Sequence, residues 1–268
     1  MSGTEVAPLR DAATVVLVRD TDHGIEVFLQ RRVKGMAFAG GMTVFPGGGV
    51  DERDADAHLA WQGPDADWWG EAFHADPDIA QALVCAAVRE TFEECGVLLA
   101  SDSDGVFADP GALATERQQL VDKSLAFADF LVANGLVLRA DLLRPLAHWI
   151  TPVNEKRRYD TRFFLAALPE GQDADDQTSE AEVARWESAR AALDGWVAGE
   201  HFLLPPTWAQ LSEVARFDTV ADLLAADHEI APIEPDVSSG GGFTGIRFDG
   251  SDTYLTEFGG RPTPDILK

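Results

Sequence analysis

Residues 13–19 (Ala-Thr-Val-Val-Leu-Val-Arg) form a β-branched run that predicts a buried strand. After a polar turn from Asp20 to Gly24, apolar positions resume over 25–31 (Ile-Glu-Val-Phe-Leu-Gln-Arg), so the two stretches predict a hairpin. Glycines at 40–41 and 47–49 bracket a short strand at 42–45. Asp76-Pro77 then has the chemistry of a helix start. The aspartate can accept from free N–H groups, and proline lacks the N–H that a first turn leaves unpaired. That helix should run to Cys95 and stop at Gly96. Helical spacing returns over 113–134, and strands at 146–151 and 160–168 flank a charged loop from Asn154 to Tyr159. An acidic loop at 170–180 leads to helices near 188–198, 207–215 and 218–225. Beyond Ile230 the chain is rich in Gly and Ser, and alternation resumes from Phe243 to Tyr254. The order predicts an α/β fold with a mixed β-sheet between helical layers, rather than a doubly wound parallel sheet. The main domain is expected over residues 1–230 and a C-terminal extension over 231–268.

On the helix ending at Cys95, Val84, Val88, Thr91, Phe92 and Cys95 share one face at helical spacing. Glu90, Glu93 and Glu94 fall near the opposite face and crowd together. Like charges on adjacent turns destabilise an isolated helix by a few tenths of a kcal/mol per pair. A hard divalent cation removes that penalty, because it takes oxygen ligands and keeps positions open for water and phosphate. Arg89 lies four residues before Glu93 and can orient its carboxylate.

Two segments carry a family resemblance: Phe45-Pro46-Gly47-Gly48-Gly49, and Arg89-Glu90-Thr91-Phe92-Glu93-Glu94-Cys95-Gly96-Val97. They resemble the two halves of the Nudix box, Gly-x5-Glu-x7-Arg-Glu-U-x-Glu-Glu-x-Gly-U, where U is a bulky apolar residue. In the uninterrupted box the arginine follows the first glycine by 14 positions. Here Gly48 and Arg89 are 41 positions apart, so about 27 residues are inserted. The glutamate position upstream falls on Asp54 counting forward from Gly48, or on Gln81 counting back from Arg89. The insert, about 55–78, contains Trp61, Trp68 and Trp69. Three tryptophans need burial, so it should pack near the substrate entrance or at the interface of a homodimer.

The resemblance implies a Nudix α/β/α sandwich with extra C-terminal helices and hydrolysis of a diphosphate linkage in a small molecule. It implies Mg²⁺ or Mn²⁺ held by Glu90, Glu93, Glu94 and the Gly47 carbonyl, with Arg89 supporting the set and Gly48 beside the substrate. A further carboxylate outside the box would activate water. Glu180, six residues before Trp186, is the first choice and Glu182 the second. An insert inside the box also marks the peroxisomal nucleoside diphosphate-linked moiety X motif 19 type, which cleaves coenzyme A and its acyl esters. Val27 to Arg31, Gly41 to Gly48, Thr161 to Leu165, Glu180 to Trp186 and Leu204 to Thr207 are similar to that type. A coenzyme A diphosphatase signature precedes the box in such enzymes. Here it is matched by Arg32 and Gly41, whereas Ala37 stands where a second arginine would be. Arg32 would contact substrate phosphates, and Arg157, Arg158 and Arg162 are further candidates. Two rival functions are an ADP-ribose, NADH or other nucleotide diphosphatase and a ligand-sensing Nudix domain without catalysis.

Charge narrows the partners. The 268 residues carry 46 acids against 21 bases, a net charge of -25. Such a surface repels nucleic acid and anionic membrane, so neither is an expected partner. It also repels a phosphate substrate at long range, so a diphosphatase needs local correction from metal and a few arginines. Cys85 and Cys95 are the only cysteines and read as small buried hydrophobes in a reducing compartment. No apolar run is long enough to span a bilayer, and Met1 to Asp11 has no secretory pattern, so a cytoplasmic location is expected.

Overall fold

The computed structural model describes residues 6–35, 39–55, 59–238 and 242–262; Ala37 lies outside them. The chain begins with β1 (Leu9–Thr21), β2 (Gly24–Arg32), β3 (Thr43–Val44) and β4 (Gly47–Gly49). Then come β5 (Trp61–Gln62), α1 (Ala66–Phe73), α2 (Pro77–Cys95), β6 (Ala100–Ser101), α3 (Ala114–Val121) and α4 (Phe127–Ala133). β7 (Val137–Arg139), β8 (Leu143–Ile150), β9 (Arg158–Ala167) and β10 (Ala181–Ser188) follow. The chain finishes with α5 (Ala189–Ala198), α6 (Pro205–Val214), α7 (Val220–Ala225), β11 (Pro232–Ile233) and α8 (Ser251–Phe258).

The main sheet is mixed, in the order β10-β2-β1-β9-β8-β11, with β3 beside β2 and β4 beside β1. β1 and β2 form the expected antiparallel hairpin, and β1 runs parallel to β9. The β-branched run is continuous because β1 is buried on both faces. Ala13, Val15 and Leu17 join the core beneath α2, whereas Val16 and Val18 join the core shared with α5, α6 and α8. The fold is therefore a sheet between helical layers, as expected. β5, β7 and β6 form a small second sheet.

The capping chemistry of α2 is as the sequence predicts. The Asp76 carboxylate accepts from the Asp78 N–H at 3.1 Å, Pro77 is the first helical residue, and Gly96 ends the helix at φ 73°. Cys85 and Cys95 are buried and unbridged. Among the described residues no helix is long and apolar enough to cross a membrane.

Four expectations change. The helix foreseen over 113–134 is two helices, parted by a turn in which Lys123 adopts φ 57°. β10 occupies residues read as the approach to a helix; it is an edge strand, half-exposed on both faces, so its alternation is blunt. The alternation at 243–254 is not a strand. It belongs to a turn and to α8, whose Tyr254 and Phe258 stack on Trp196 across one helical face. The insert folds as β5 and α1, and Trp69 is wholly buried against Phe73 and Phe164. Trp68 stays 43% exposed, and none of the described insert residues after Ala55 lines the cleft described below.

Candidate active site

Arg89 is the hub. Its side chain is 9% exposed and its donors reach three separate segments. Nε and Nη2 donate to the Asp54 carboxylate at 2.9 and 2.8 Å, and Nη2 also donates to the Gly49 carbonyl at 3.0 Å. Nη1 donates to Glu90 at 2.7 Å and to Glu93 at 3.3 Å. Of the two positions open for the upstream box acid, Asp54 is the one that pairs with Arg89. It sits in a short turn, Glu52–Ala55, directly after the glycine strand and is buried.

The glycine turn is shaped by what lies beneath it. The Gly47 N–H donates to Glu94 Oε2 at 2.9 Å. A side chain at Gly47 would strike the Ala13 carbonyl and Thr14 on the neighbouring strand. A Cβ at Gly48 would sit 2.6 Å from the Glu90 carboxylate. Glycine at 47 lets β4 lie against β1, and glycine at 48 leaves space for the Glu90 carboxylate of α2, where the two box halves meet despite the insert.

This packing crowds negative charge. Burial, reinforced by Glu93 and Glu180 and opposed by Arg89, pushes the Glu90 carboxyl up to about 7. Burial and then the charge of Glu90 hold Glu94 well above the ordinary carboxylate range. Glu93 is also raised by burial, with Arg89 opposing. Each shift reports a desolvated anion short of positive charge.

Glu90, Glu93, Glu94, Gly47, Gly48, Arg89, Arg32 and Glu180 all line one cleft of about 1250 Å³. Glu180 comes from the acidic loop just before β10, and its carboxylate accepts from Arg32 Nη2 at 2.9 Å. Glu182 instead lies 4.0 Å from Arg31 and is not in the cleft wall. Of the three other arginines, Arg157 lines the cleft. Arg158 bonds to Glu234 at 2.8 Å, and Arg162 pairs with Asp160, which also bonds His148. Arg10 and Lys156 line the cleft without any sequence signal. The parallel pairing of β1 with β9, which sets Arg10 opposite Tyr159, is not legible in the chain.

A divalent cation fits this site on donor chemistry. The donors are all oxygen, and two buried carboxylates with raised proton affinity adjoin each other. Among the described residues no three His, Cys, Asp or Glu side chains converge into a complete cage. Mg²⁺ retains several waters and completes its shell with substrate phosphate oxygens in enzyme sites of this kind.

Comparison with known proteins identifies the family. The family model for the NUDT19 Nudix domain matches residues 70–217. The chain belongs to the Nudix hydrolase family, in its NUDT19-type branch. The crystal structure of a NUDIX hydrolase from Alicyclobacillus acidocaldarius is 32% identical with a TM-score of 0.73, covering 83% of this chain and 98% of its own. The putative nudix hydrolase 7 of Caenorhabditis elegans is 29% identical over 220 residues, 82% of this chain. The human acyl-coenzyme A diphosphatase NUDT19 is 27% identical over 239 residues, 75% of this chain. These two alignments span 64% and 63% of the relatives' lengths.

Proposed function

We propose that the chain hydrolyses the diphosphate linkage of coenzyme A or an acyl-coenzyme A, with Mg²⁺ or Mn²⁺ as cofactor. The observation that carries this reading is the meeting of both box halves around Arg89, with Glu94 on the Gly47 N–H and Glu90 beneath Gly48. Glu90, Glu93, Glu94 and the Gly47 carbonyl would hold the cation. When bound, it neutralises the diphosphate and makes water more acidic. Glu180 is the general base in this account. It is half-exposed in the cleft wall, and its charge is felt by both Glu90 and Glu94. It would take the proton of the water that attacks phosphorus. Arg32, now bonded to Glu180, would turn a donor to the substrate phosphates. Gly48, which has no side chain to displace the Glu90 carboxylate, would stand beside the diphosphate. Scission gives 4′-phosphopantetheine, or its acyl form, and 3′,5′-adenosine diphosphate.

Coenzyme A as substrate is supported by the interrupted box, by Arg32 and Gly41 in the upstream signature, and by relatives named acyl-coenzyme A diphosphatase. The test is a hydrolysis screen over coenzyme A, acyl-coenzyme A, NADH, ADP-ribose and nucleoside triphosphates with Mg²⁺ and with Mn²⁺. Coenzyme A compounds are expected to give the highest kcat/KM. The substrate assignment fails if they fall more than about a hundredfold below ADP-ribose or NADH, about 2.7 kcal/mol in transition-state binding. Binding without turnover of any of them would favour a ligand-sensing domain.

A further inference from the structure

We infer that the C-terminal tail builds an aliphatic-chain subsite in the cleft, which takes the acyl part of an acyl-coenzyme A. This rests on the diphosphatase reading above and adds a specificity element to it. Among the apolar side chains that share the cleft with Glu90 and Glu94 are Trp149, Phe163, Leu204, Val237, Phe243 and Ile246. Trp149 and Phe163 stand on neighbouring strands, on the sheet face opposite α2. The last three come from the tail, beyond residue 217 where the family match ends.

The tail is anchored as a wall. β11 pairs with β8, setting Pro232 opposite His148. The Asp236 and Arg247 backbones exchange two hydrogen bonds of 2.8 Å in an antiparallel bridge, next to which Val237 and Ile246 lie. Phe243 packs on Phe202, Tyr254 and Phe258 with ring centroids 5.3, 5.7 and 4.9 Å apart. Packed on those rings, Phe243 has little freedom to lose when a ligand binds.

The tail's part of the lining suits an alkyl chain better than the edge of a nucleobase. A base edge needs matched donors and acceptors, whereas Leu204, Val237, Phe243 and Ile246 offer neither. Each methylene that leaves water for such a wall strengthens binding by about fourfold. The carboxylate site, placed in the same cleft, would hold the diphosphate of the same molecule.

The test compares free, acetyl- and octanoyl-coenzyme A, with ADP-ribose as control, in the full chain and in Val237→Trp and Ile246→Ala. Val237 is half-buried, so its replacement fills the groove rather than emptying the core. The wild type is expected to prefer octanoyl- over free coenzyme A by at least about tenfold in kcat/KM. Val237→Trp should lower that ratio at least about tenfold, and Ile246→Ala by a few fold, with acetyl-coenzyme A affected least. A ratio near one in the wild type, or unchanged in Val237→Trp, overturns the subsite. So does an equal loss for octanoyl-coenzyme A, free coenzyme A and ADP-ribose, which would mark a nucleobase pocket. The same ligands are titrated calorimetrically in EDTA. Tighter binding of octanoyl- than free coenzyme A there, with no turnover of either when Mg²⁺ or Mn²⁺ is supplied, would sink the diphosphatase reading and sustain the subsite. Equal binding of the two would sink the subsite whatever the turnover.

Discussion

Arg89 does the work that the insert would otherwise undo, because it bonds to the glycine strand, to the turn at Asp54 and to its own helix. Asp54 is 2% exposed and meets the guanidinium with both oxygens. Taking away one partner of such a pair leaves a buried, uncompensated charge. Asp54→Ala is therefore expected to cost about 3–5 kcal/mol of stability, read from the urea midpoint; a cost under about 1 kcal/mol would mean the pair is incidental. Glu90 and Glu94 make a second prediction, and its sign follows from their raised proton affinity. Both face each other and Glu180, with Arg89 against Glu90 and Arg32 near Glu94. The folded chain holds protons that the unfolded chain releases near 4.5, so the Glu90 contribution is full below that pH and is lost as pH rises through about 7, and Glu94 acts in the same direction. In EDTA, Tm should fall between about pH 5 and pH 8, and Mg²⁺ should restore more of it at the upper end. A metal-free Tm that is flat or rising across that window would contradict the charge crowding.

At the scale of elements, what was legible is what carries a strong local signal. α2 could be read from Asp76, Pro77 and Gly96, and the β1–β2 hairpin from its apolar runs around a polar turn. The box residues were legible as types, but their assembly was not, since the choice between Asp54 and Gln81 depends on where the chain after Gly49 turns. β5, β6, β7 and β11 have two or three residues each, too few for a period of two to register. The break between α3 and α4 contains neither Gly nor Pro; Asp122-Lys123-Ser124 breaks the helix with an exposed Lys123 at positive φ. The insert was expected to bury its tryptophans, and it does so unequally. Trp69 has no exposure, stacks on Phe73 and meets Phe164 at a tilt, whereas Trp68 is 43% exposed. Trp69→Ala should cost about 3–5 kcal/mol in thermal or urea unfolding, and Trp68→Ala at most about 1 kcal/mol. Equal effects from the two would show that α1 does not anchor the insert.

For the whole molecule, the net charge of -25 contrasts with a cleft whose lining is close to balanced, six bases against seven acids. Arg10, Arg32, Lys156 and Arg157 gather on the cleft in a chain with few cations, a local correction that no single position announces. The sheet order brings this about by joining the N-terminal strand to the strand after the charged loop. The central claim is likewise global: box halves 41 positions apart in sequence close into one diphosphate-cleaving site. Its most direct test is kcat for coenzyme A hydrolysis at saturating Mg²⁺ in the wild type, Glu93→Gln and Glu94→Gln, with a thermal melt of each. Each variant is expected to lose at least about a hundredfold in kcat while still melting cooperatively, because a missing carboxylate charge weakens stabilisation of the developing anion. Near wild-type turnover in either folded variant would contradict the site.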